Sequence, residues 1–215
     1  MEQLGNILGN IKALILDFGG VLLNLDFARC RSEFLKLGLK DFAQLYDPPH
    51  QTELFDQFET GQISPKEFRE RIKPLVRPGV ADAEIDAAWN ALLGEFPPAR
   101  VRRLETLKRN HKLFLLSNTN AIHFECFEHQ IIRPAYSRGL SDFFDKAYYS
   151  FEVGLRKPDP KIFELVLEEH GLTPEQALFV DDAISNIEAA ARLGLHTHYL
   201  NLMAGETFER AFPLD

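Results

Sequence analysis

The chain has 215 residues, 45% hydrophobic and 26% charged, enough to bury a sizeable core as one domain or one domain with an insertion. Its 24 basic against 32 acidic residues give a formal charge of −8, which argues against broad binding of nucleic acid or an acidic membrane surface. No apolar run approaches the roughly 18 residues of a membrane span, so no membrane partner is expected.

MEQLGNILGNIK at the start opens with an acid and lacks the basic-then-apolar layout of a secretion signal. Cys30 and Cys126 form no metal spacing and read as free thiols, so a cytoplasmic location is the expectation. Ala13 to Leu16 form an unbroken apolar run, the pattern of a strand buried on both faces of a parallel sheet. Asp17 follows where that strand ends, before Phe18-Gly19-Gly20. A carboxylate there is costly unless a cation or hydrogen-bond donors meet it.

Residues 27–96 show helical periodicity and no convincing strand. Helices are predicted over Phe27–Leu37, after the Ser64-Pro65-Lys66-Glu67 capping box, and from Asp82 through Trp89 to Leu93. Pro97-Pro98 marks the exit, and a helix over 99–109 leads to strand 111–118. Further strands are predicted at 146–150, 177–182 and 197–201.

Between these strands, Asp159-Pro160 starts a helix that Gly171 ends. Thr173 to Gln176 has capping-box spacing for a short helical piece, and Ile184–Leu193, closed by Gly194, is another helix. Alternating strands and helices mean crossover units on a parallel sheet. The expected architecture is an α/β, Rossmann-like sheet built from 1–26 and 97–215, with 27–96 as a helical cap over the carboxyl end of the first strand.

Four polar sites follow or flank predicted strand ends: Asp17, Ser117-Asn118, Lys157 and Asp181-Asp182. Each alone reads as a turn, cap or loop residue. A parallel sheet would bring them to one edge, which is where open α/β sheets bind ligands. Together, LILDFGGV, LLSNTN, GLRKPDPKIF and FVDDAISNIEAAARLG resemble, in order and spacing, the four motifs of the haloacid dehalogenase-like hydrolases, and the phosphatases among them in particular.

That resemblance implies a role for each residue. Asp17 would attack phosphorus and form an aspartyl-phosphate. Two anions repel, so a Mg²⁺ would lie between them, held by Asp17, the backbone carbonyl of Gly19, Asp182 and its neighbour Asp181. Asp182 aligns better than Asp181 with the direct ligand of the family, and Asn186 would support the site. Ser117, Asn118 and Lys157 would bind the phosphate, with Lys157 also balancing the charge of Asp17.

Most family phosphatases carry a second aspartate two residues after the nucleophile, as general acid and base. Here that position is Gly19. General acid–base catalysis is worth about 10²–10⁴-fold. The chain is similar to a branch that carries glycine there and includes bacterial glucose-1-phosphate phosphatases. Asp26 and His123 are candidates to replace the missing acid, with nothing in the sequence to choose between them. His196 and His198 share a strand face but lack a third ligand, and Phe124 and Phe127 fit core packing better than a pocket border.

The resulting expectation is a Mg²⁺-dependent phosphatase for a small-molecule phosphate ester, such as a sugar 1-phosphate. Phosphomutase is disfavoured by the missing acid. A metal-independent 2-haloacid dehalogenase is disfavoured by the Asp181-Asp182 pair. A non-catalytic phosphate-binding regulator is the alternative from another class.

Overall fold

The computed structural model describes residues 2–40, 42 and 53–214. Five parallel strands form its sheet: β1 (Ala13–Leu16), β2 (Lys112–Ser117), β3 (Lys146–Tyr149), β4 (Ala177–Asp181) and β5 (His196–Tyr199). Their spatial order is β3-β2-β1-β4-β5. The helices in chain order are α1 (Glu2–Leu8), α2 (Phe27–Lys36), α3 (Glu53–Glu59), α4 (Pro65–Ile72), α5 (Asp82–Asn90), α6 (Pro98–Leu107) and α7 (Ala121–Cys126). They continue as α8 (Arg133–Tyr136), α9 (Ser150–Val153), α10 (Pro160–Glu169), α11 (Ile184–Arg192) and α12 (Phe208–Ala211). None of the described helices is long and apolar enough to cross a membrane.

The apolar run of β1 is buried throughout because alternate side chains serve two cores. Leu14 and Leu16 join Leu113, Leu115, Leu178 and Val180 under α6 and α12, whereas Ala13 and Ile15 join Phe114, Leu116 and Phe179 under α10 and α11. Strand order reverses at the β1–β4 boundary, with β2 and β3 on one side of β1 and β4 and β5 on the other. The Asp17 amide extends that ladder by one residue, donating to the Val180 carbonyl at 3.0 Å. Asp17 and Asp181 therefore leave adjacent strands at the same level of the carboxyl edge, the ligand-binding position of such sheets.

The predicted end signals act as read. Asp26 caps α2 by accepting from the Arg29 amide, and Ser64 and Glu67 form the capping box of α4. Asp159 caps α10 and Pro160 opens it. Thr173 to Gln176 yields a single 3₁₀ turn. The last strand runs over His196–Tyr199 rather than 197–201, yet the Leu200 amide still reaches the Asp181 carbonyl at 3.0 Å.

Among the described residues, the segment between β1 and α6 is helical and holds its own core. Trp89 is fully buried, with ring centroids of Phe55 at 5.1 Å and Phe68 at 5.9 Å, while Phe58 stacks on Phe68 at 4.2 Å. The chain enters and leaves through two linkers that run side by side. The Asn24 amide donates to the Glu95 carbonyl, the Gly94 amide to Asn24, and the Asp26 amide to Leu92, all within 2.9 Å. At Gly61 (φ +69°) this insertion meets the sheet domain so closely that a Cβ would lie 2.2 Å from the Phe151 carbonyl oxygen.

Candidate active site at the carboxyl edge of the sheet

Lys157 is the centre of the site, although it is almost wholly buried. Its Nζ donates to Asp17 Oδ1 at 2.6 Å and to Asp181 Oδ2 at 2.7 Å. Its backbone is held as firmly. The Asn118 side-chain amide donates to the Lys157 carbonyl and accepts from the Lys157 amide, each at 2.9 Å. Such a two-way clamp fixes where a long, flexible side chain starts, so less rotamer freedom remains to be lost at its end.

Asp181 is fully buried and fully engaged. Besides Lys157, it accepts from the Ala183 amide at 2.8 Å and from Asn186 Nδ2 at 3.1 Å to both oxygens. Asp182 lies against Gly20, where φ is +77° and a Cβ would fall 2.2 Å from Asp182 Oδ2. Glycine thus does two things there: it takes a left-handed turn and leaves room for the carboxylate.

Asp17, Asp181 and Asp182 each present an oxygen within 4.8 Å of the others. Burial raises Asp17 to about 8; Lys157 opposes that shift, and Asp181 and Asp182 add to it. Asp182 rises to about 6, again chiefly through burial and then through Asp181. Burial works against the charged form of Lys157, but the charges and hydrogen bonds of Asp17 and Asp181 hold its ammonium above the ordinary lysine range. Three oxygen donors short of positive charge suit a hard divalent cation.

A cavity of about 650 Å³ opens above these groups, lined by Asp17, Gly19, Asn118, Lys157, Asp181, Asp182 and Asn186, and by Asp56 and Glu59 from the insertion. Ser117 is buried at the end of β2, one residue inside the lining that Asn118 provides. Neither candidate for the missing acid lines the cavity. Asp26 spends its carboxylate on the Arg29 amide. His123 is buried, stacked on Trp89 at 4.5 Å, with its ring nitrogens toward Asn120 and the Trp89 carbonyl. At Gly19 itself, a Cβ would meet Leu25 Cδ1 at 3.0 Å, so the linker into the insertion fills the space beside that position.

Sequence reading missed Arg156. Its guanidinium pairs with Asp56 and, at 3.1 Å, with Glu59, all three in the cavity lining. The available signals were Arg156 beside Lys157 and two acids three residues apart on α3. Of the remaining histidines and aromatics, His198 sets its ring edge-on to Phe212, and Phe127 is buried in the sheet core with Phe124 packed against it.

A family model described as haloacid dehalogenase-like hydrolase matches residues 11–194. The chain belongs to the haloacid dehalogenase-like hydrolases. Among its relatives is a D-ribitol-5-phosphate phosphatase of Bacteroides thetaiotaomicron, 35% identical over 195 residues, which span 87% of this chain and 90% of the relative. A sesquiterpene phosphatase of Aspergillus oryzae is 29% identical over 86% of this chain and 87% of its own length. Among solved structures, a haloacid dehalogenase family enzyme of B. thetaiotaomicron, crystallised as a mutant with magnesium and inorganic phosphate, superposes with a TM-score of 0.88 at 36% identity. That match covers 95% of this chain and 100% of the other.

Proposed function

We propose that this protein is a Mg²⁺-dependent phosphatase for a small polyhydroxy phosphate ester, working through an aspartyl-phosphate on Asp17, with residues 27–96 as the cap over the site. The observation that carries this reading is the buried Asp17–Lys157–Asp181 arrangement beside Asp182, at the point where strand order reverses. Phosphatase relatives and a magnesium-and-phosphate complex of a related enzyme support it.

Lys157 donates to Asp17 Oδ1, and in this reading Oδ2 is the oxygen that attacks phosphorus. The Oδ2–phosphorus bond forms as the ester oxygen–phosphorus bond breaks, and the departing oxygen takes its proton from water. Water then attacks the same phosphorus, which frees phosphate and restores the carboxylate. A magnesium ion held by Asp17, Asp182 and the Gly19 carbonyl would favour the ionised carboxylates and neutralise phosphate charge. Asp181 holds the Lys157 ammonium in line with Asp17, and Asn118 holds its backbone. Asn118 is assigned to the phosphate oxygens from the end of β2, with Ser117 buried one residue behind it.

Phosphate release from an aryl phosphate, from ribitol 5-phosphate and from glucose 1- and 6-phosphate, with Mg²⁺ and with a chelator, tests this reading. Release only with metal is expected. With Gly19 in place of an acid, esters with acidic leaving groups should react faster, so aryl and sugar 1-phosphates should outpace the 6-phosphate. Full release in chelator would remove the metal from the mechanism, and halide release from a 2-haloacid in place of phosphate release would revive the dehalogenase reading. No release from any ester would favour a regulatory binding protein.

A further inference from the structure

The cavity carries a charge balance that phosphate chemistry alone does not demand. Among the described residues, five carboxylates line it, Asp17, Asp56, Glu59, Asp181 and Asp182, against two cations, Arg156 and Lys157, a formal excess of three negative charges. A divalent cation and a phosphate dianion cancel in formal charge, so that excess acts on the remainder of a bound ester. Both cations are committed. Lys157 lies between Asp17 and Asp181, and Arg156 is gripped from the insertion by Asp56 and Glu59. One face of α3 delivers both acids, because residues three apart on a helix are neighbours.

We propose that the Asp56–Arg156–Glu59 cluster is a charge filter: it admits esters whose leaving group is uncharged and rejects those with a second anion, a carboxylate or another phosphate. This deepens the phosphatase reading and rests on it. Among the described residues of the lining, the cation placed to receive a second anion is Arg156. To do so it would have to break its ion pair with Glu59, a carboxylate that is only 4% exposed. A hydroxyl instead donates to Asp56 or Glu59 and leaves both ion pairs standing. Leu25, Phe27 and Ile184, also in the lining, offer a charged end no compensation.

Ribitol 5-phosphate and ribonate 5-phosphate are the probes, since they differ only by a carboxylate in place of the terminal hydroxymethyl group. Wild-type kcat/KM should favour the alditol by at least about tenfold. In Asp56→Asn/Glu59→Gln that preference should collapse to within about threefold, because the two negative charges that face the carboxylate beside Arg156 are gone. Glu59→Asp keeps the charge and should keep the preference, whatever it does to KM. Raising ionic strength should narrow the preference in the wild type, a readout that needs no variant to fold. Equal cleavage of both esters by the wild type, or an undiminished preference in a folded double variant, overturns the filter while leaving the phosphatase reading intact. Cleavage of neither ester, nor of an aryl phosphate, with Mg²⁺ present removes the phosphatase reading and the filter with it.

Discussion

The sheet domain and the helical insertion are both built on buried apolar side chains, but they bury different things beside them. At the strand ends, the sheet domain encloses Lys157 and Asp181 with Asp17, charges that are tolerable only because each meets an opposite charge or a donor. The core of the insertion is aromatic, with Trp89 amid Phe34, Phe55 and Phe68, and the acids it presents to Arg156 of the sheet domain are Asp56 and Glu59. In the proposed reading, Asp17 reacts from a strand end, whereas the acids proposed to face the rest of the substrate arrive on a separately packed module. Chemistry and selectivity should then be separable by mutation.

The sharpest way to break that separation is at Asp17. Asp17→Asn keeps the shape, removes the attacking charge, and should cut turnover on the order of 10⁴-fold or more for every ester. Circular dichroism should show an intact fold. Near-normal turnover by a folded variant would move the nucleophile elsewhere.

What the sequence disclosed follows the same division. The strand ends were legible because an apolar run that stops at a carboxylate is a local pattern, seen at Leu16-Asp17 and Val180-Asp181. Parallel pairing then brings the two together without further information. The insertion was legible as helical from its caps, but not its role in the site: Arg156 meets Asp56 across 100 residues of chain, and no periodicity encodes that meeting. Nor could spacing show that Asn118 clamps the Lys157 backbone, that Leu25 fills the space beside Gly19, or that Asp26 and His123 are spent on a helix cap and a buried stack.

On the insertion side, Trp89→Ala should cost about 3–5 kcal/mol of stability, since it empties the centre of the aromatic core. Aryl phosphate turnover per folded molecule should change far less, as Trp89 lies outside the cavity lining. Thermal denaturation and active-site titration separate the two effects. A collapse of turnover in the folded fraction would mean that the modules are not separable.

His123 joins the modules and gives their contact a pH signature. Burial lowers it to about 4 from an ordinary value of 6.5, so the folded chain keeps it neutral where an unfolded chain would take up a proton. Its stability contribution is complete above pH 6.5 and is lost as pH falls from there toward 4, by roughly 3 kcal/mol. His123→Gln should therefore flatten that acid limb of the stability curve, although it lowers stability at neutral pH. An unchanged slope in urea denaturation across that window would assign the acid limb to other groups.

A smaller change sharpens the metal side. In Gly20→Ala the new methyl group would meet Asp182 in a backbone conformation that alanine resists. Magnesium affinity, read from activity against Mg²⁺ concentration, should weaken about 10–100-fold, with most turnover recovered at saturating metal. Unaltered affinity would take Asp182 out of the metal site.

The most direct measurement is a rapid-quench reaction with an aryl phosphate and Mg²⁺, followed by mass spectrometry of the peptide that carries Asp17. With Gly19 where a general base would activate water, breakdown of the aspartyl-phosphate should be slower than its formation from so good a leaving group. A burst of about one phenolate per chain is therefore expected, with a phosphoryl group on Asp17 that disappears in chelator and in Asp17→Asn. Linear release from the first turnover, with no phosphoryl group on that peptide while hydrolysis proceeds, would contradict covalent catalysis by Asp17.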